Sequence, residues 1–87
     1  MAYLAKIYVT LKPVVNDPQG LTVLGGLKNL GFTSAEDVRI GKYVEIRVNE
    51  SDSGKAEAEV NEMCEKLLSN PVIEEYRYEL EELAPVN

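Results

Sequence analysis

Three basic residues, Lys12, Arg39 and Lys42, lie near predicted loop or strand ends. They are the best candidates in this sequence for a cluster that binds a ligand or a partner. The pair Asp17-Pro18 predicts a helix start, because an Asp side chain accepts hydrogen bonds from the first free amides and proline has none to lose. A helix N-terminus beside basic side chains suits an anion or an acidic partner. Ordinary solvated strand ends are the alternative that these residues leave open.

Groups for catalysis are scarce. The sequence contains no histidine, which excludes a histidine-based triad and histidine metal ligands, and it contains one cysteine, Cys64. Cys64 falls on the apolar stripe of a predicted helix, which favours a buried structural thiol over a nucleophile. No set of residues supplies a nucleophile, a base and an oxyanion donor together. The sequence therefore favours a binding or scaffolding subunit with no activity of its own.

The length and the net charge of the chain exclude further classes of protein. Eighty-seven residues predict a single domain, residues 1–87, which is small enough for oligomerisation to be a common source of extra stability. The net charge of -6 argues against a general nucleic-acid or membrane-surface binder, since phosphates need clustered lysine and arginine. The lone cysteine and the lack of a signal sequence or a long apolar run predict a cytoplasmic protein.

Alternation of apolar and polar residues over 3–12 predicts a first strand, which Pro13 ends. A helix over residues 18–30 follows, with leucines at three-residue spacing and Gly31 in the left-handed terminal position. The adjacent glycines Gly25 and Gly26 predict close packing of this helix on a sheet, since their spacing fits no phosphate-binding loop.

The middle of the chain, residues 34–49, predicts two strands around Gly41-Lys42, either as a tight hairpin or as one long strand with a sharp bend. A second helix is predicted from the spacing of its apolar residues to about Ser69, and a last strand over 72–80. Residues 81–87 are expected to be a flexible tail. The apolar stripe of the second helix comprises Ala56, Val60, Met63, Cys64 and Leu67.

This order predicts an α+β fold of the ferredoxin-like kind, β-α-β-β-α-β, an antiparallel sheet with both helices on one face. The other face mixes aromatic and charged side chains, a composition that suits contact with a second copy of the chain through the sheet, although a solvated face is the alternative. The residues expected in that contact are Leu4, Tyr8, Tyr43, Glu45, Arg47 and Arg77.

Several short stretches along the chain together carry a family resemblance. They are Val9-Thr10-Leu11-Lys12, Asp17-Pro18-Gln19-Gly20, Leu30-Gly31-Phe32, residues 37–42 and residues 63–74. Together they resemble the PurS family, the small accessory subunit of phosphoribosylformylglycinamidine (FGAM) synthase. Each is weakly specific by itself, but they stand in the family's order and spacing over most of the chain. The departure is at residues 13–16, where a more regular approach to Asp17-Pro18 is expected.

The resemblance implies a subunit that carries no catalytic residues and no cofactor. It implies a complex in which a glutaminase subunit releases ammonia and a large synthetase subunit uses ATP and Mg²⁺ to activate formylglycinamide ribonucleotide. The small subunit, itself a homodimer or a dimer of dimers, is expected to bridge the two others. The residues expected at the partner-facing surface are Lys12, Asp17, Gln19, Gly20, Arg39, Gly41 and Lys42.

The residues by themselves are also compatible with three other classes of protein. A small-molecule regulatory module resembling ACT domains shares the strand-helix order. An RNA-binding module of the same fold would need more sheet aromatics than Tyr8 and Tyr43 and a less acidic chain. An independent enzyme would turn over glutamine or ATP as an isolated chain.

Overall fold

The computed structural model describes residues 2–84. Two helices and one π-helical turn alternate with three strands along this part of the chain. In chain order the elements are β1 (Ala2–Leu11), α1 (Pro18–Asn29), β2 (Gly41–Val48), α2 (Ser53–Met63), the π-helical turn (Cys64–Leu68) and β3 (Glu74–Leu83).

Strand β1 lies at the centre of the sheet, with β2 and β3 antiparallel on either side of it. The predicted alternation is present, because Ala5, Ile7 and Val9 are buried on one face, while their neighbours on the other face are half-buried or exposed. Period-two burial of this kind requires something to cover the apolar face. That cover is α2, whose Ala56 and Val60 belong to the same buried cluster.

Helix α2 begins at its N-cap Asp52, whose side chain accepts hydrogen bonds from Gly54 and Lys55. The predicted stripe is confirmed at Ala56, Val60 and Cys64, which are spaced by four and are fully buried. Leu67 was expected on that stripe but is 82% exposed. The reason is the π-helical turn, whose wider winding rotates the last residues and brings Leu68 against the core instead.

The antiparallel α+β class is confirmed, but both alternatives predicted around Gly41, a tight hairpin and one long bent strand, are wrong. Only the second of the two middle segments is a strand: β2 starts at Gly41, opposite Thr10, and the stretch containing Val38 and Ile40 is an irregular connection that leads into it. The Ile40 amide donates its hydrogen bond to the side chain of Asp17 and not to a neighbouring strand.

Helix α1 has the predicted start and end. Asp17 is its N-cap, Pro18 is its first residue, and Gly31 follows it with a φ of 97°. The expected packing of its leucines on the sheet is not seen within this chain, because α1 adds no residue to the buried core cluster. A Cβ atom on Gly25 or Gly26 would meet nothing within 4 Å, so the predicted close contact at these glycines is absent as well.

The last strand corrects the sequence prediction at both ends. It starts at Glu74, after a turn that contains Pro71, and it continues to Leu83, which lies opposite Ala2. Residues 81–83 are therefore paired in the sheet and are not part of a tail, while residues 85–87 of the expected tail lie outside the described residues. No helix between residues 2 and 84 is both long and apolar enough to cross a membrane.

Candidate functional site

The Asp17 carboxylate connects two distant parts of the chain. One oxygen accepts a hydrogen bond from the Gly20 amide at 2.9 Å, which caps α1, and the other accepts from the Ile40 amide at 2.7 Å. The side chain is 4% exposed, so both oxygens act inside the fold. The Ile40 and Gly20 amides, with a smaller contribution from the positive charge of Arg39, hold the pKa of Asp17 below its ordinary value.

Gly20 allows α1 to approach the segment before β2. It is buried, and a Cβ atom built on it would lie 2.1 Å from the Val38 carbonyl oxygen. Because no side chain fits at that distance, the first turn of the helix and the connection to β2 contact each other through backbone. Gly20 and Asp17 therefore fix the same junction from two sides.

Arg39 holds the loop that follows β1. Its guanidinium donates hydrogen bonds to the carbonyl oxygens of Lys12 and Val15, both at 3.0 Å. The Lys12 amide in turn donates to the Ile73 carbonyl at 2.9 Å, which ties this loop to the turn before β3. The arginine thus acts within the fold, where the sequence prediction placed it only at a partner-facing surface.

A shallow cleft of about 440 Å³ opens where these segments meet. Four of the seven residues predicted at the partner-facing surface line it, namely Asp17, Gln19, Gly41 and Lys42. Lys12, Gly20 and Arg39 are not among its lining residues, although the contacts above show that they support its walls. The sequence prediction missed the other four lining residues, Leu11, Pro18, Ile40 and Glu74.

The backbone register explains why Leu11 and Glu74 were missed. Leu11 pairs with Glu74 across the ends of β1 and β3, a pairing that the sequence does not specify before the strands are aligned. The only sequence signal for these two residues was their position near predicted strand ends. Among the lining residues, the exposed polar side chains that can reach a partner are those of Gln19 and Lys42.

The open face of the sheet carries the second predicted set of residues. Tyr8 lies between Tyr43 and Arg77 in the strand register; the two tyrosine rings are 5.0 Å apart, and the Arg77 guanidinium carbon is 3.9 Å from the centre of the Tyr8 ring. The Tyr43 hydroxyl donates to Glu45 at 2.9 Å. The structure thus brings these four residues together on one face.

The remaining members of that face form the next rows of the ladder. Leu4 lies opposite Arg47, and Lys6 lies opposite Glu45. Lys6 also forms a 2.9 Å ion pair with Glu81, whose hydrogen bond and charge raise the pKa of the lysine. Charged groups satisfied in this way lower the cost of placing the face against another protein surface.

Reactive groups are few in the described part of the chain. Cys64 is fully buried, and burial raises the pKa of its thiol, so the thiolate that would attack a substrate is disfavoured. Between residues 2 and 84 no three carboxylate or thiol side chains lie close enough together to hold a metal ion. The arrangement provides two shaped surfaces, the cleft and the sheet face.

Comparison with known proteins decides between the classes that the sequence left open. A family model named PurS, described as phosphoribosylformylglycinamidine (FGAM) synthase, matches residues 4–82. The chain belongs to the PurS family. It is a subunit of FGAM synthase, and the ACT-like alternative is not favoured.

Individual PurS relatives are similar over most of their length. The PurS subunit of Bacillus subtilis is 51% identical over 81 residues, which cover 93% of this chain and 95% of the relative. That of Synechocystis is 44% identical over 79 residues, which cover 91% of this chain and 79% of the relative.

Solved PurS structures share the fold. Bacillus subtilis PurS superimposes with a TM-score of 0.84 over 92% of this chain and 99% of that one, at 51% identity. A chain of the Thermotoga maritima PurLQS structure gives 0.85 over 92% of this chain and 98% of that one, at 31% identity.

Proposed function

We propose that this PurS chain bridges the glutaminase and synthetase subunits of FGAM synthase, so that ammonia from glutamine reaches ATP-activated formylglycinamide ribonucleotide. The observation that carries the proposal is the family match over residues 4–82. A related chain within the PurLQS structure of Thermotoga maritima supports assembly with larger subunits. In this proposal ATP and Mg²⁺ bind the large subunit, and the complex works in the cytoplasm.

The small subunit contributes position and not chemistry. Holding an ammonia source against the site that consumes it raises the effective concentration of the nucleophile and shelters it from water. This role needs rigid surfaces with fixed spacing, and the hydrogen bonds of Asp17 and Arg39 supply that rigidity at the cleft.

We infer that the cleft is the surface that meets a larger subunit. Its backbone is fixed by the Asp17–Ile40 and Arg39–Lys12 hydrogen bonds, which reduces the entropy lost on docking. Gln19 and Lys42 are exposed at its rim and supply donors for acidic or carbonyl groups of a partner. The sheet face around Tyr8 and Tyr43 is, in this proposal, a contact between two copies of the chain.

Co-purification with the glutaminase and synthetase subunits, with and without ADP-Mg²⁺ and glutamine, tests the bridging role. The double variant Gln19→Ala/Lys42→Ala is preferable to one that includes Arg39, because removing the arginine also frees the loop carbonyls of Lys12 and Val15. The double variant is expected to fold normally and to weaken assembly and glutamine-dependent activity about tenfold or more.

The matched control is Lys55→Ala, which removes an exposed lysine from α2, outside the cleft lining. It is expected to assemble like the unmodified chain. Normal assembly and normal glutamine-dependent activity of the Gln19→Ala/Lys42→Ala variant would show that the cleft is not the partner surface. Turnover by the isolated chain would contradict the non-catalytic role itself.

A further inference from the structure

Leu67 is a large apolar side chain that the fold holds on its surface. It is 82% exposed, although the spacing of the buried residues Ala56, Val60 and Cys64 along α2 continues toward it. The π-helical turn breaks that spacing, so that Leu68 packs against the core and Leu67 faces away from it. Single π-helical turns are rare in proteins and are frequently found at functional sites.

The backbone on the C-terminal side of Leu67 is fixed by hydrogen bonds. The amide and the hydroxyl of the buried Ser69 both donate to the Cys64 carbonyl oxygen, at 2.9 Å and 2.8 Å. The Glu74 amide donates to the Asn70 carbonyl oxygen at 2.7 Å, which closes the next turn of the chain. The exposure of Leu67 is therefore set by an ordered backbone and not by fraying of a helix end. An apolar side chain held in this way loses little backbone entropy when it binds a partner.

A groove of about 250 Å³ lies on the outer face of α2 and ends at Lys66, the residue before Leu67. Its other lining residues are Glu59, Glu62 and Met63. The Lys66 ammonium and the Glu62 carboxylate form an ion pair at 2.5 Å and neutralise each other. Met63 is half-buried, and its flexible thioether side chain can adapt to a group placed in the groove. The groove and Leu67 together are called the α2 surface below.

The charges of the chain are divided unevenly along its length. Residues 1–49 contain four acidic and six basic residues, whereas residues 50–87 contain eleven acidic and three basic residues. Glu59 lines the groove and Glu65 lies in the same turn as Leu67, and neither forms an ion pair with another described residue. The α2 surface thus combines apolar side chains at Leu67 and Met63 with uncompensated negative charge.

This combination indicates the chemistry of the partner. Copies of one chain in a closed assembly usually meet through the same patch on each copy, which would place the glutamates of two α2 surfaces against each other. Nucleic acids and anionic membranes are repelled by the same charges. The complementary partner is a different protein that presents lysine or arginine side chains around an apolar site.

We propose that the α2 surface docks on a basic, apolar site of a larger subunit of FGAM synthase, with Leu67 as the side chain that enters this site. The inference rests on the proposed function, because a chain that bridges two subunits needs two separate surfaces. No residue that lines the cleft belongs to the α2 surface. The α2 surface thus supplies the second surface that bridging requires.

Binding of the full-length chain to each larger subunit in turn, measured by calorimetry with ADP-Mg²⁺ and glutamine present, tests this docking. Leu67→Lys and Leu67→Glu are matched variants, because they place opposite charges at the same exposed position. Leu67→Lys is expected to weaken the binding of one subunit about 100-fold, since it puts a positive charge against a basic site. Leu67→Glu is expected to weaken it only about tenfold, because the lost apolar contact is partly offset by attraction.

The double variant Glu59→Gln/Glu65→Gln tests the contribution of charge with Leu67 in place. It is expected to associate more slowly with the same subunit and to be less sensitive to salt, because the two carboxylates attract a basic partner. The matched control is Glu75→Gln/Glu82→Gln, which removes the same charge from exposed positions of β3. Its association rate is expected to stay close to that of the unmodified chain.

Several results would overturn the docking. Unchanged binding of Leu67→Lys to both subunits would show that neither of them covers Leu67. Weaker binding of Leu67→Glu than of Leu67→Lys would show that the covering surface is acidic. A lower mass of the isolated Leu67→Lys chain in light scattering would identify a second copy as the partner. Equal weakening of both subunits would indicate a change in the fold, which circular dichroism of the variant checks.

The same measurements judge the proposed function separately. If the unmodified chain binds only one larger subunit, bridging is wrong, whereas the Leu67 variants still decide whether that subunit covers the α2 surface. If it binds both subunits and the Leu67 variants bind normally, bridging stands and the α2 docking is wrong. The Gln19→Ala/Lys42→Ala variant and its Lys55→Ala control change no residue of the α2 surface.

Discussion

The Asp17 carboxylate accepts a hydrogen bond from the Ile40 amide at 2.7 Å across 23 positions of the chain. The same side chain caps α1 through Gly20. One residue thereby sets where the first helix begins and where the chain turns into β2. Because both segments line the cleft, the geometry of the candidate partner surface depends on this side chain.

Asp17→Asn tests this dependence. Asparagine keeps one acceptor oxygen but places an amino group where the second oxygen stood, so either Gly20 or Ile40 loses its acceptor inside the fold. We expect a lower melting temperature by circular dichroism. The matched variant is Asp52→Asn, whose carboxylate is exposed and accepts only from amides of its own helix. If Asp17→Asn lowers the melting temperature no more than Asp52→Asn does, Asp17 does not join α1 to the segment before β2 in the way described.

Acid pH should weaken the contact that Asp17 makes between α1 and the segment before β2. The folded-state pKa of Asp17 is lowered by the Ile40 and Gly20 amides, so its contribution to stability is fully present above the unfolded-state pKa. It is lost as the pH falls from about 4 through the lower, folded-state pKa. The difference in melting temperature between the unmodified chain and Asp17→Asn should therefore be constant near neutral pH and shrink below about pH 4. A difference that stays constant to pH 2 would argue against this assignment.

Gly20 and Gly25 make a second matched pair on one helix. Gly20→Ala should destabilise the chain by roughly 1–3 kcal/mol, since its Cβ would fall 2.1 Å from the Val38 carbonyl oxygen and the backbone must move. Gly25→Ala should stabilise the helix by up to about 1 kcal/mol, because its Cβ meets nothing within 4 Å. Urea titrations measure both. Equal effects of the two substitutions would show that the close approach at Gly20 is not present in solution.

The features predicted correctly from sequence are those set by a few neighbouring residues. The start of α1 at Asp17-Pro18 and its end before Gly31 follow from capping chemistry, which acts over one helical turn. The burial of Ala5 and Ile7 follows from strand alternation. Four of the residues predicted at the partner-facing surface line the cleft, and their contact with a partner stays a prediction.

The features missed are those that depend on distant parts of the chain. Ile40 sits in a strand-like pattern, yet its amide is taken by Asp17, and β2 starts one residue later. Leu67 keeps the helical spacing, but the π-helical turn changes which side it faces. The leucines of α1 predict a buried face, and periodicity cannot say whether the covering surface belongs to the same chain.

The Tyr8–Arg77 contact should contribute little to folding by itself. The guanidinium carbon lies 3.9 Å from the ring centre on an open face, where such pairs are worth about 0.5–1 kcal/mol. A double-mutant cycle with Tyr8→Leu and Arg77→Gln, followed by urea unfolding at low protein concentration, measures the coupling. If the sheet face also joins two copies, the same cycle measured on dimer dissociation should give a larger coupling. A coupling near zero in both measurements would contradict the contact.

Cys64 should behave as a structural thiol. It is fully buried between α2 and the sheet, and burial raises its pKa, so a thiol reagent such as dithionitrobenzoate must wait for the chain to open. Labelling of the folded chain should be slower than labelling in denaturant by at least roughly 10³-fold, the factor set by a stability of a few kcal/mol. Cys64→Ala, which does not label, supplies the blank. Rapid labelling of the folded chain would mean that the thiol is accessible and that the described packing of α2 on β1 is wrong.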